Sequence, residues 1–80
     1  MRYEPTEQQL LACEQNFTYH APNADQIERM MLIRLGAKDV SSLLNRLCPP
    51  SRELSLAQTS LEQAVFWANA SIVRNEKTPQ

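Results

Sequence analysis

Three cations stand close together on one stretch of this chain: Arg29, Arg34 and Lys38. Arg34 and Lys38 are four positions apart, which puts them on one face of a helix. Arginine presents a planar fork to phosphate and lysine a point charge, so the line can act as a phosphate clamp; an ordinary solvated helix face accounts for it equally well. Upstream, Phe17, Tyr19 and His20 place three rings in a connector that ends at Pro22. Tyr19 leans toward a ligand role, because its ring can stack and its hydroxyl can hydrogen-bond. Phe17 divides evenly between covering a small core and lining a pocket. His20 has no Ser, Asp or Cys partner at a recognisable spacing and reads as structural. A third feature follows Cys48-Pro49-Pro50. There Ser51 is a strong N-cap, and the free backbone donors behind it, with Ser51 and Arg52, could hold an anion. Glu53 competes for the same positive helix end, and a plain capped helix start explains the feature as well.

Other chemistry finds little support. Cys13 and Cys48 lack the close spacing of a zinc or redox site, and a nucleophile drawn from Cys48 or Ser51 has no base to orient it. One long-range disulfide is arithmetically possible, but two small core side chains are the expectation for the cysteines. No glycine-rich phosphate loop and no metal-ligand cluster is visible, so no catalytic residue, no metal and no cofactor is expected, and the chain does not read as an enzyme. A formal net charge of -1 argues against DNA or RNA polymers, whose binders carry a basic excess. A small anionic ligand needs only a few well-placed cations. No signal peptide and no apolar run of about 18 residues is seen, so the expected setting is reducing and intracellular, with no membrane span.

The elements that must position these residues follow from the punctuation. The five prolines, at 5, 22, 49, 50 and 79, lie outside the long periodic segments. The pattern predicts an all-α fold in one domain, residues 1–80: a short helix over about 6–17, long helices over about 25–47 and 52–74, and a polar, frayed tail over 75–80. Thr6 with Gln9, and Asn23 with Gln26, form two capping boxes. On the second helix Ile27, Met31 and Leu35 recur at a spacing of four, widened by Met30, Ile33, Ala37, Val40, Leu44 and Leu47. Gly36 costs about 1 kcal/mol in a helix interior, and is expected where another backbone or a ligand comes close. The third helix carries two stripes: Leu54, Leu61, Val65, Ala68 and Ile72, and beside it the smaller residues Ala57, Ser60, Ala64 and Ser71 with Trp67. Asn69 in this apolar setting is expected to satisfy buried backbone or to specify register. One short and one long helix cannot easily cover two faces of the third, so a homo-oligomer is expected. A helical scaffold or protein-binding adaptor and a small-anion binder remain level on these grounds.

Several runs in the chain resemble a known family. They are Tyr19-His20-Ala21-Pro22-Asn23-Ala24-Asp25-Gln26-Ile27-Glu28-Arg29, Leu32-Ile33-Arg34-Leu35-Gly36-Ala37-Lys38, the stretch from Cys48-Pro49-Pro50-Ser51 through Arg52-Glu53-Leu54-Ser55-Leu56-Ala57-Gln58-Thr59, and Ala64-Val65-Phe66-Trp67-Ala68-Asn69-Ala70-Ser71-Ile72. Together they are similar to the bacteriophage anti-CBASS protein 2 family, the cyclic-oligonucleotide sponges, over roughly residues 17–76. The resemblance implies a compact helical protein that assembles as a hexamer in the host bacterial cytoplasm. It implies sequestration of cyclic dinucleotides in pockets shared between protomers, and of cyclic trinucleotides at separate sites, without cleavage, which blunts CBASS antiphage immunity.

Carried over residue by residue, the resemblance places Tyr19 on a base of a cyclic dinucleotide and Arg34 on its phosphates, with Lys38 a weaker candidate for the same work. It assigns Ser51, Arg52 and Glu53 to the trinucleotide site, supported by Ser55 and Thr59. The chain departs from the family at one point: relatives often show Arg-Glu-Arg-Ser-Leu-Ala where this chain has Arg52-Glu53-Leu54-Ser55-Leu56-Ala57. If the missing arginine touches phosphate in relatives, trinucleotide binding is in doubt here; if it forms only an ion pair, Leu54 can simply bury itself.

Overall fold

A computed structural model describes residues 2–76. Within them the chain forms three helices, α1 (Glu7–Phe17), α2 (Ala24–Leu47) and α3 (Arg52–Asn75). The all-α arrangement of one short and two long helices is the one expected. Local chemistry sets the boundaries. Thr6 and Asn23 each accept from the backbone N–H three residues on, while the side chains of Gln9 and Gln26 return the bond to the cap's own N–H. Both capping boxes are therefore formed. Pro49 forces Cys48 into an extended conformation, with φ -115 and ψ 141, which ends α2. Ser51 then caps α3 by accepting from Leu54 N at 3.1 Å.

Helices α2 and α3 have 24 residues each, about 36 Å at 1.5 Å per residue, and they pack antiparallel as a hairpin. On α3 the residues turned toward α2 are Leu54, Gln58, Leu61, Val65, Ala68 and Ile72; on α2 they are Gln26, Met30, Ile33, Ala37, Ser41 and Leu44. The steps alternate largely between three and four residues, which averages near the 3.5-residue period of a seam between two helices. Residues spaced strictly by four drift off such a seam. Ile27, Met31 and Leu35 accordingly lie on the outside of α2, about half exposed. The first stripe predicted on α3 is half-buried against α2, whereas the second, Ala57, Ser60, Ala64, Trp67 and Ser71, is exposed along its length.

Polar contacts pin the seam at two levels. In its closed half, Ser41 Oγ donates to Gln58 Oε1 at 2.6 Å, and Gln58 Nε2 donates to the Ser41 carbonyl at 3.0 Å and to Asn45 Oδ1 at 3.1 Å. At the open end, the Arg29 guanidinium grips Glu76 with two bonds of 2.6 Å and Asp25 with one of 2.9 Å. Gln26, only 3% exposed, adds a bond of 3.1 Å from its amide to Glu76. The sequence pattern placed a frayed tail from Asn75 onward. Instead Asn75 closes α3 and Glu76 is held by two side chains of α2; residues 77–80 of that tail lie outside the described residues.

Helix α1 stands off the hairpin. Its links are few: Gln15 Nε2 donates to the Arg74 carbonyl and to Asn75 Oδ1, and His20 Nε2 donates back to the Gln15 carbonyl at 2.7 Å. His20 is thus structural, as its isolation in the sequence suggested. No residue of α1 is buried. Cys13 is exposed and Cys48 half-buried, both as free thiols, so Cys13 is not the core side chain expected of it. A helix without a facing layer has no interior to place it in. Gly36 likewise meets nothing: a Cβ built on it finds no atom within 4 Å beyond its chain neighbours and its own helix backbone, so no close approach among the described residues explains it. The Asn69 Oδ1 is buried without a hydrogen-bond partner among the described residues, contrary to the satisfied role expected.

The Glu76 carboxyl is held down to about 2, from a usual 4.5, by hydrogen bonds first from Arg29 and then from Gln26. The same contacts raise the Arg29 guanidinium above its ordinary range. A depressed carboxyl contributes stability that is complete above about 4.5 and is lost as pH falls through about 2. Its side chain is 40% exposed, so solvent screens the effect and it is modest. Thermal unfolding followed between pH 5 and about pH 2 is expected to show a falling midpoint in the parent chain and a shallower fall in Glu76→Gln. For Asn69→Leu the same measurement is expected to show a higher midpoint at neutral pH, by roughly 1 kcal/mol in stability, because an unpaired buried acceptor is removed.

Candidate ligand-binding groove

The hairpin carries a groove along one side of its seam. The larger of two adjoining cavities, about 590 Å³, sits toward the open end, where the connector before α2 meets α3; Tyr19, His20 and Pro22 line it together with Arg34 of α2 and Phe66 and Asn69 of α3. The second, about 390 Å³, continues toward the hairpin turn and is lined by Arg34, Lys38 and Ser41 on one wall and by Gln58, Leu61 and Glu62 on the other. Arg34, Glu62 and Val65 line both, so the two form one continuous trough.

Helical periodicity builds each wall. On α2, Met30, Arg34 and Lys38 follow one another at four-residue steps. On α3, Glu62, Phe66, Asn69 and Val73 fall at steps of four, three and four, one face beside the seam. The connector supplies the end wall. Pro22 and the Asn23 capping box fix where the chain enters α2, and the His20 bond to Gln15 fixes the stretch just before it. Tyr19 lies within the stretch that the bond from His20 to Gln15 closes and is 84% exposed, leaving its ring free to meet a flat partner. Phe66 packs edge-on against Trp67, with ring centroids 5.1 Å apart, and brings a second aromatic surface to the trough.

Tyr19, Arg34 and Lys38, the three residues expected to bind a dinucleotide, are therefore brought to one groove, Tyr19 and Lys38 at its opposite ends. Arg29, the first member of the cationic line, is not part of it; its guanidinium is paired with Asp25 and Glu76. Arg34 and Lys38 make no ion pair within 4.0 Å among the described residues. Residues that sequence reasoning did not assign to the site are Glu62, Phe66 and Arg74. Their signal was present as the face of α3 adjoining the seam, but it required knowing which stripe faces α2.

Ser51, Arg52, Glu53 and Thr59 lie at the hairpin turn and the first turns of α3, and line neither part of the groove nor the third, smaller cavity beside Trp67. Ser51 Oγ accepts from Leu54 N and donates to the Pro49 carbonyl at 3.1 Å, which accounts for this serine as a cap. Leu54 is half-buried on the seam toward α2. No group of three or more metal-ligating side chains is found among the described residues, and none of their helices is long and apolar enough to cross a membrane.

Comparison with known proteins agrees with this architecture. No curated protein and no solved structure matches the chain. A family model does: residues 10–73, which include most of α1, the connector, nearly all of the hairpin and every groove residue named above except Arg74, match the model described as the Acb2/Tad1 hairpin domain. A match over that much of the chain, on a structure that is itself a helical hairpin, places this protein in the Acb2/Tad1 hairpin-domain family.

Proposed function

We propose that the protein is a sponge for cyclic oligonucleotide messengers: it sequesters them in the groove between α2 and α3 without cleaving them and so blocks CBASS immunity in the cytoplasm of the infected bacterium. Membership of the Acb2/Tad1 family suggests the anti-CBASS role. The observation that carries the reading is the meeting of Tyr19 and Arg34 in one cavity of about 590 Å³, with Lys38 further along the same trough. A cyclic dinucleotide consists of two flat bases and two phosphates. An exposed phenol ring offers a stacking surface, and two cations without an ion-pair partner among the described residues offer phosphate contacts. The trough holds no base-and-nucleophile arrangement, so capture rather than cleavage is the chemistry proposed.

Assembly belongs to the same proposal. The described chain is one layer of helices: its extents are 49 × 43 × 13 Å and its radius of gyration is 17.3 Å, where a compact chain of this length has about 12 Å. Among the described residues Ala70 is the one buried hydrophobic side chain, while Leu11, Leu32, Phe66 and Trp67 are about 60% exposed. A single layer cannot enclose a core, and further copies of the chain are the natural cover, in a hexamer on the family's pattern. The trinucleotide site is assigned to Ser51, Arg52, Glu53 and Thr59 near the start of α3. There Leu54 takes a packing role in place of the family's second arginine, and any phosphate contact that relatives make from that position has no counterpart here. The exposed stripe bearing Trp67 also suits a second reading, a helical oligomeric scaffold or protein-binding adaptor without a nucleotide ligand.

Calorimetry with a panel of cyclic dinucleotides and trinucleotides tests the reading. Binding is expected, followed by recovery of the intact ligand after heat denaturation. A linear product would point to an enzyme, and silence across the panel from a well-formed oligomer would favour the scaffold. Tyr19→Ala and Arg34→Ala are each expected to weaken dinucleotide binding roughly tenfold or more, the loss of a base–aromatic stack or a charged hydrogen bond. Gel filtration of both variants should show the parent's assembly size.

A further inference from the structure

Among the side chains lining the trough one is acidic: Glu62, which faces both of its cavities. It makes no side-chain hydrogen bond and no ion pair within 4.0 Å among the described residues, although Arg34 lines both cavities with it and Lys38 one of them. A carboxylate on the wall of a groove that takes phosphates raises the cost of binding them by like-charge repulsion. That cost is offset if the carboxylate meets a hydrogen-bond donor of the ligand. An ionised carboxylate is an acceptor only, with two oxygens side by side. The purine edges differ in what they bring to it. Guanine presents two adjacent donors, its N1–H and its amino group, which match the two oxygens. Adenine presents an amino donor beside an N1 acceptor, whose lone pair would confront the second oxygen.

We infer that Glu62 reads the base edge of the bound ligand and makes the groove prefer cyclic dinucleotides that contain guanine over those with adenine alone. This rests on the sponge reading above. The geometry suits it. Glu62 and Phe66 are successive members of one α3 face, four residues apart, on the wall opposite Arg34. A base lying against Phe66 would turn its edge toward Glu62 while its phosphate reached Arg34.

Titration calorimetry of the full chain with three cyclic dinucleotides, carrying two guanines, one of each base, or two adenines, is the test. The parent protein is expected to bind the guanine-containing ligands more tightly by roughly 5- to 100-fold, the discrimination of one bidentate base contact. In Glu62→Gln, whose amide pairs a donor with an acceptor, and in Glu62→Ala, that preference should collapse while the all-adenine ligand binds as well as before or better. Equal binding of all three ligands by the parent would overturn the inference and leave the sponge reading standing. So would a common change for every ligand in both variants, since that is the behaviour of a carboxylate that only repels phosphate or orients a cation. Absence of binding by any ligand to the parent would remove the sponge reading and this inference with it. Helicity by circular dichroism and assembly size by gel filtration establish that each variant is folded.

Discussion

Everything in this protein hangs on the seam between α2 and α3. Two helices of 24 residues share one narrow line of contact, and that line is only half closed to solvent: its members on both helices are mostly half-buried rather than buried. Side chains alone give such a seam little resistance to sliding, because Leu54, Leu61, Val65 and Ile72 are similar in size and would pack nearly as well one turn along. The polar members remove that freedom. Gln58 has partners only where Ser41 and Asn45 stand opposite it, and Gln26 and Arg29 reach Glu76 only where α3 ends beside them. A one-turn slip would break these cross-helix bonds and leave the Gln58 amide without partners, which costs more than displaced methyl contacts return.

The groove inherits its geometry from that register. Its two walls come from different helices, so Arg34 stands opposite Glu62 and Phe66 only because Ser41 stands opposite Gln58. Its end wall comes from the connector, which two local devices hold: the Asn23–Gln26 capping box and the bond from His20 to Gln15. Tyr19 lies within the stretch closed by the second of these. The same residue type meets different fates a few positions apart. Arg29 closes the open end of the hairpin and gives its guanidinium to two carboxylates, while Arg34, just over one turn further on, faces the groove with no such partner among the described residues. The chain thus separates structural charge from charge left available for a ligand.

The flat shape ties architecture to the proposed function. A single helical layer leaves broad apolar surface on both sides, including Leu32 and Leu35 on α2 and Phe66 and Trp67 on α3. Helix α1 adds Leu10 and Leu11 and extends away from the hairpin it is tied to. Covering those surfaces with further copies would also close the outer side of an open trough, so assembly and ligand capture draw on the same unfilled faces.

The amino-acid sequence by itself determined what depends on near neighbours in the chain. The helix starts at Thr6, Asn23 and Ser51 are legible because caps act within three residues, and the break at Cys48-Pro49-Pro50 because proline constrains the residue before it. The family was legible too, since its motifs are contiguous runs. What only the tertiary structure decided is which face meets which. Ile27, Met31 and Leu35 form the most regular apolar row in α2, yet they lie outside, because a partner helix selects alternating steps of three and four. Gln58, Ser41, Gln26 and Glu76 become pins only when a residue 17 or 50 positions away stands opposite. Glu62 and Phe66 join the groove for the same reason. No local rule encodes such pairings, because they arise from the packing of two helices whose individual preferences leave the register open.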